Sequence, residues 1–108
     1  MNKAILVFIS CANAGVAKKI GNRLLKKRLA ACVQIFGDVR SAYFWPPGKN
    51  SIEEAREAVL LVKTIESKWI ALEREVVSVH SYATPEIIAI PIAHITKKYY
   101  DWLKGELA

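Results

Sequence analysis

The sequence predicts an α+β fold of the ferredoxin-like class: two strand-helix-strand units in tandem forming an antiparallel four-stranded sheet, with both long helices on one face and a short helix at the end. Three observations lead there. Apolar strand-like runs and amphipathic helix patterns alternate in the order strand, helix, strand, strand, helix, strand. The 108 residues are 53% hydrophobic and 24% charged, with five Gly and four Pro, the balance of one folded domain over residues 1–108 that buries roughly two-thirds of its unfolded surface without metal or disulfide staples. The longest apolar runs, residues 4–9 and 87–93, fall far short of the ~18 residues that span a bilayer.

Residues 4–11 open the first unit as an apolar strand. Lys3, this apolar core and Ala12-Asn13-Ala14 imitate a secretory signal with its cleavage site, but the stretch is short and cutting it off would delete a whole strand, so the native N-terminus is expected to be kept. Asn13 is placed to cap a helix whose apolar face is Val16, Ala17, Ile20 and Leu24, reaching about Leu29. Residues 30–45 read as an extended segment with a bulge or bend at Gly37. Pro46, Pro47 and Gly48, with residues 49–51, form a turn, and Glu53, Glu54 and Glu57 make a mixed acidic stretch before a strand over 58–64. Ser67 is placed to cap the second helix, whose face is Trp69, Leu72, Val76 and Val79 and which stops near His80. After a loop over 81–85, residues 86–92 form the fourth strand, with Pro91 marking an edge position or a strand end. Thr96 is placed to cap the last helix, which carries Tyr99, Tyr100, Trp102 and Leu103.

A sheet with helices on one face only should alternate apolar and polar residues, yet residues 5–9, 59–62 and 87–90 are apolar at both parities. Two helices cannot cover both sides and the third is too small. The sheet is therefore expected to associate with further copies of the chain, although a heterodimer would meet the same requirement. Tyr43, Phe44 and Trp45 are assigned to such a contact, and Trp69 and Trp102 to the core.

The net charge is +6, concentrated on the first helix, where Lys18, Lys19, Arg23, Lys26 and Lys27 lie opposite the apolar face. No aromatic residues interleave with these bases, so a solvated helix face is preferred to a nucleic-acid site. The two cysteines, Cys11 and Cys32, form no C-x-x-C pair, as expected of reduced cytoplasmic thiols. No P-loop, G-x-G-x-x-G or G-x-S-x-G motif occurs, so nothing local argues for an enzyme. One polar cluster remains. His80, Tyr82 and Glu86 bracket Pro85 in a stiff loop, and an imidazole and a carboxylate there, with a thiolate from Cys32, form a donor set suited to copper or zinc. The competing reading has His80 at the helix carbonyls, Tyr82 in packing and Glu86 paired with Lys63. His94 is a poorer candidate ligand.

Five blocks in order then resemble one family. Leu29-Ala30-Ala31-Cys32-Val33, Tyr43-Phe44-Trp45 with Gly48-Lys49, Leu60-Leu61-Val62-Lys63-Thr64, His80 through Ile88, and Tyr100-Asp101-Trp102-Leu103 resemble the divalent-cation tolerance proteins, CutA, over nearly the whole chain. The resemblance implies a ferredoxin-like protomer, a stable homotrimer like that of the PII signalling proteins, a cytoplasmic location and a role in tolerance of copper and other divalent metals. It puts the family's copper ligands on Cys32, His80 and Glu86, and Tyr43, Trp45, Lys63 and Tyr82 near a cleft between subunits. The chain departs from the pattern at Ser81, where Pro commonly follows the His, and at Pro46-Pro47, where a single residue commonly separates Trp from Gly-Lys. The function expected is therefore a non-enzymatic, homotrimeric metal-tolerance protein binding no nucleic acid or membrane, with copper or another divalent cation as ligand. The alternative is a PII-like sensor of a small anion, using Lys49 and Lys63.

Overall fold

The computed structural model describes residues 2–108. Along the chain follow β1 (Ala4–Cys11), α1 (Ala14–Lys26), β2 (Cys32–Phe44), β3 (Ile52–Ile65), a 3-10 turn (Glu66–Lys68), α2 (Trp69–Val79), β4 (Ile87–Pro91) and α3 (Lys97–Glu106). The strands form one sheet in the order β2-β3-β1-β4, every neighbouring pair antiparallel. Two interleaved strand-helix-strand units produce this order, as the ferredoxin-like plan requires.

Alternation along β1 sends Ile5, Val7, Ile9 and Cys11 to the helical side, where they meet Leu60 and Val62 of β3, Ala17, Ile20 and Leu24 of α1, and Leu72 and Val76 of α2 in one core. Asn13 caps α1 as its sequence position suggests, its side-chain oxygen accepting from the Val16 amide at 2.9 Å. The helix ends sooner than Leu29 because Arg28 turns left-handed (φ 57°), which lets the Leu29 amide donate to the Leu24 carbonyl. Gly21 sits where α1 comes down on the sheet: a Cβ there would lie 3.1 Å from Val33 Cγ2 and 3.2 Å from Leu60 Cδ1. Two basic residues at the end of α1 are committed internally, because Arg23 and the C-cap residue Lys27 both bind the buried Glu75 of α2.

Four sequence expectations need correction. β3 begins at Ile52, not Ala58, because the acidic stretch pairs residue by residue with β2 as far as Phe44. Ser67 does not cap α2; it lies in the 3-10 turn, where its amide and hydroxyl bond to the Asn2 side chain, and the helix starts at Trp69 without a side-chain cap. Thr96 stands at the N-cap of α3 without a capping side-chain bond. Trp102 is not core: it is 45% exposed and stacks beside Tyr99, their ring centroids 5.4 Å apart. Trp69, by contrast, packs against the main core.

The other face of the sheet carries Leu6, Phe8 and Ser10 of β1, registered with Lys63, Leu61 and Val59 of β3 and, for the first two, with Ile90 and Ile88 of β4. α3 covers only one end of it, burying Ile65 under Leu103 and Leu107. Phe36, Ile88 and Ile90 stay 53%, 47% and 45% exposed. β1 pairs with β3 only from Ala58 onward, so the rest of β2 and β3 runs out as a two-stranded ribbon. That arm stretches the molecule to 47 × 26 × 24 Å with a radius of gyration of 14.9 Å, against roughly 13 Å for a compact chain of this length. Its tip is a turn in which Pro47 and Gly48 (φ 79°) occupy the central positions and the Lys49 amide donates to the Pro46 carbonyl. Proline fixes the first of those positions and glycine alone takes the second without strain, as a type II turn demands.

Candidate functional site

At the end of α2 the chain turns extended at His80, and the loop that follows is tied to β1 through a single residue, Ser10. The Ser10 amide donates to the Glu86 carbonyl, its hydroxyl donates to a Glu86 carboxylate oxygen, and its own carbonyl lies 2.7 Å from His80 Nε2. The other ring nitrogen, Nδ1, accepts the Tyr82 amide at 3.0 Å. An amide has only a proton to give and a carbonyl only a lone pair, so the network assigns the neutral tautomer with its proton on Nε2. Both nitrogens are thus occupied by backbone groups. These bonds tie the loop to β1 on both sides of Ser81.

A bulge builds the neighbouring wall. Gly37 and Asp38 together stand opposite Ala58, and Asp38, not Gly37, takes the left-handed conformation (φ 57°). One extra residue reverses the side-chain parity of β2. Beyond it Val39, Ser41 and Tyr43 share a face with Glu57, which lies two residues along β3 from the partner of Ser10. Glu57 is 8% exposed and accepts the Tyr82 hydroxyl at 2.7 Å. Burial first, and then the Glu57 carboxylate bonded to it, push the Tyr82 phenol up to about 12. Burial, reinforced by the same negative charge, pushes the Cys11 thiol up to about 11.

These groups border a cleft of about 710 Å³ between the ribbon, β1 and the loop over 81–86. Tyr43, Trp45, Tyr82 and Glu86 line it, as do Ser10 and Glu57, which sequence reasoning missed. The signal for Ser10 was present: it is the one polar residue of β1. Lys63 does not line this cleft within one chain; it lies along the sheet with its ammonium 5.6 Å from the Tyr99 ring centre, and the pairing with Glu86 of the competing reading is absent from the ion pairs of the described residues. Cys32 is registered with Lys63, and Lys63 with Leu6, four residues along β1 from Ser10. That is roughly 13 Å along the strand. Within one chain, therefore, His80 and Glu86 meet at Ser10 while Cys32 stands apart, and no three His, Cys, Asp or Glu residues among those described are grouped to hold a metal. His94 is exposed and plays no part.

Residues 5–106 match the family described as CutA1 divalent ion tolerance protein. The divalent-cation tolerance protein CutA of Archaeoglobus fulgidus is 43% identical over 90% of this chain and 91% of its own, and that of Thermus thermophilus is 38% identical over 92% and 93%. Human protein CutA is 39% identical over 90% of this chain, which spans only 52% of the human protein. Among solved structures, CutA1 of Ehrlichia chaffeensis superposes with a TM-score of 0.92 at 27% identity, covering 100% of this chain and 98% of that one. The Archaeoglobus protein, there described as periplasmic, superposes at 0.90 with 37% identity over 97% and 99%.

Proposed function

Because this chain belongs to the CutA1 divalent ion tolerance protein family, we propose that it acts in the response to divalent metals as a homotrimer, binding copper or another divalent cation rather than catalysing a reaction. Its assembly resembles that of the PII proteins, and its two free thiols, one on each face of the sheet, suit a reducing compartment such as the cytoplasm. The observation that carries the reading is the incompletely covered apolar sheet face, where among the described residues Phe36 and Ile88 stay exposed and Phe8 and Leu61 are only half-buried.

The ligands are Cys32, His80 and Glu86. Since Cys32 lies far from the other two within one chain, a site using all three takes its thiolate from a neighbouring copy, and assembly and metal binding become one event. His80 must then give up a backbone bond, exchanging its link to Ser10 or to Tyr82 for the metal. The charge of the cleft favours a cation over the small anion of the alternative reading: its carboxylates Glu57 and Glu86 face no lysine or arginine across it.

Calorimetric titration of metal-stripped protein with copper tests the metal claim. Saturable binding is expected, weakened at least about tenfold by Cys32→Ser and by His80→Ala. Absence of saturable binding to the wild-type protein contradicts it.

A further inference from the structure

Opposite the face on which copies are proposed to meet, α1 and α2 lie side by side over the core, and their outer surface belongs neither to the ribbon nor to the open side of the sheet. Arg23 and the C-cap Lys27 reach Glu75, which fixes how the two helices are turned toward each other. On α1, Lys19, Arg23 and Lys26 then stand in one outward row at spacings of four and three. On α2, Ile70, Arg74 and Val77 form a second row at the same spacings. Ile70 is 67% and Val77 56% exposed, and they are the only large apolar side chains that these two helices leave in the open. Between the rows runs a groove of about 380 Å³, lined by Lys27, Leu29, Ala71, Arg74, Glu75 and Ser78. Its charge is one-sided. Among the described residues Lys19, Lys26 and Arg74 form no ion pair, while Glu75 is already bound by two cations. Glu73, the other acid of α2, is two residues from Glu75 and so lies on the opposite flank of the helix.

We infer that this groove docks an acidic amphipathic helix of a partner protein, its apolar stripe set on Ile70, Ala71 and Val77 and its carboxylates on Lys19, Lys26 and Arg74. The 11 residues of α2 run about 16 Å, so about three turns of partner helix fill the groove. Charge complementarity selects the acidic partner, because a neutral one would desolvate these cations with nothing in return. A bilayer fits less well: membrane-bound faces present Trp, Phe or Leu, whereas the exposed apolar residues here are two β-branched ones beside a concave surface. Nucleic acid fits less well too, since no exposed aromatic ring stands among the bases for a nucleotide to stack on. The inference uses none of the metal ligands and stands for one copy or for three.

The probe is a fluorescein-labelled synthetic helix of about 15 residues, with leucines at spacings of three and four and glutamates between them, followed by fluorescence anisotropy against the full chain at low salt. Saturable binding is expected. It should be at least about tenfold weaker for the peptide with glutamine in place of glutamate, and for one of the same composition with its leucines scattered. Lys26→Glu and Arg74→Glu should each weaken binding about tenfold, and Ile70→Ser about threefold to tenfold; all three side chains are exposed, so the fold is kept. Lys104→Glu on α3 changes the net charge by the same amount as Lys26→Glu and should leave binding unchanged. No saturable binding of the acidic peptide, equal binding of either control peptide, or equal losses from Lys104→Glu and Lys26→Glu would each overturn the inference. So would phosphatidylserine vesicles or single-stranded DNA that bind the wild-type protein more tightly than the peptide does and lose that binding in Arg74→Glu.

Discussion

Tyr82 and Glu57 form a pair whose energetics can be read through pH. The phenol has its folded-state value raised to about 12 from an ordinary 10, so the stability it contributes is whole below pH 10 and is lost as pH climbs toward 12. Two pH units correspond to at most about 3 kcal/mol, less what solvent screening removes from this partly exposed group. Denaturant unfolding should show the wild-type protein losing stability across that range, and Tyr82→Phe should flatten the loss. The same substitution strips Glu57 of its donor and should lower stability at pH 7 by about 1–3 kcal/mol. Cys11, fully buried with its thiol held up at about 11, should resist iodoacetamide in the native protein at pH 8, as mass spectrometry would show. At this scale the sequence disclosed the identities of His80, Tyr82 and Glu86 but not their bonds. The partner that organises two of them, Ser10, lies 70 or more positions away, and only the pairing of β1 in the middle of the sheet brings it there.

Among the elements, two glycines in helices answer the same substitution in opposite ways. Gly105 in α3 has open space where a Cβ would go, so Gly105→Ala should raise stability by up to about 0.5–1 kcal/mol through helix propensity alone. Gly21 faces Val33 and Leu60 at 3.1 and 3.2 Å. There a propensity gain of about 1 kcal/mol meets an overpacking cost of about 1–3 kcal/mol, and thermal melting of Gly21→Ala should show a net loss. Between α1 and α2, the hydrogen bond from Lys27, with the bond and charge of Arg23, holds the Glu75 carboxyl below its ordinary 4.5. That contribution is present above pH 4.5 and lost as pH falls through the lower folded-state value. Glu75→Gln should therefore melt below the wild type at pH 7, and the two should converge on acidification. Helix faces and the Asn13 cap were legible because period and cap chemistry are local. The start of β3 was not, because Glu53, Glu54 and Glu57 read as a mixed acidic stretch ahead of the strand when they in fact belong to the ribbon paired with β2. The bulge was legible at Gly37, but its strained residue is Asp38.

For the whole molecule, the most informative sequence feature was the doubled apolar parity of β1, β3 and β4. The structure shows what it means: one set of residues packs under α1 and α2, and the other lies on a face that α3 covers at one end only. The projecting ribbon adds exposed Phe44, Trp45 and Ile52, and an isolated two-stranded ribbon is marginal in water. The proposed self-association would cover both. Ile88→Glu places a charge on the open face that one chain tolerates and an assembly must bury, so it should yield folded single chains with native circular dichroism. The account rests most heavily on this face. Sedimentation velocity of the wild-type protein in dilute neutral buffer should find a single species near 36 kDa, three copies of a 12.1 kDa chain; a folded species at 12.1 kDa that does not grow with concentration would contradict it.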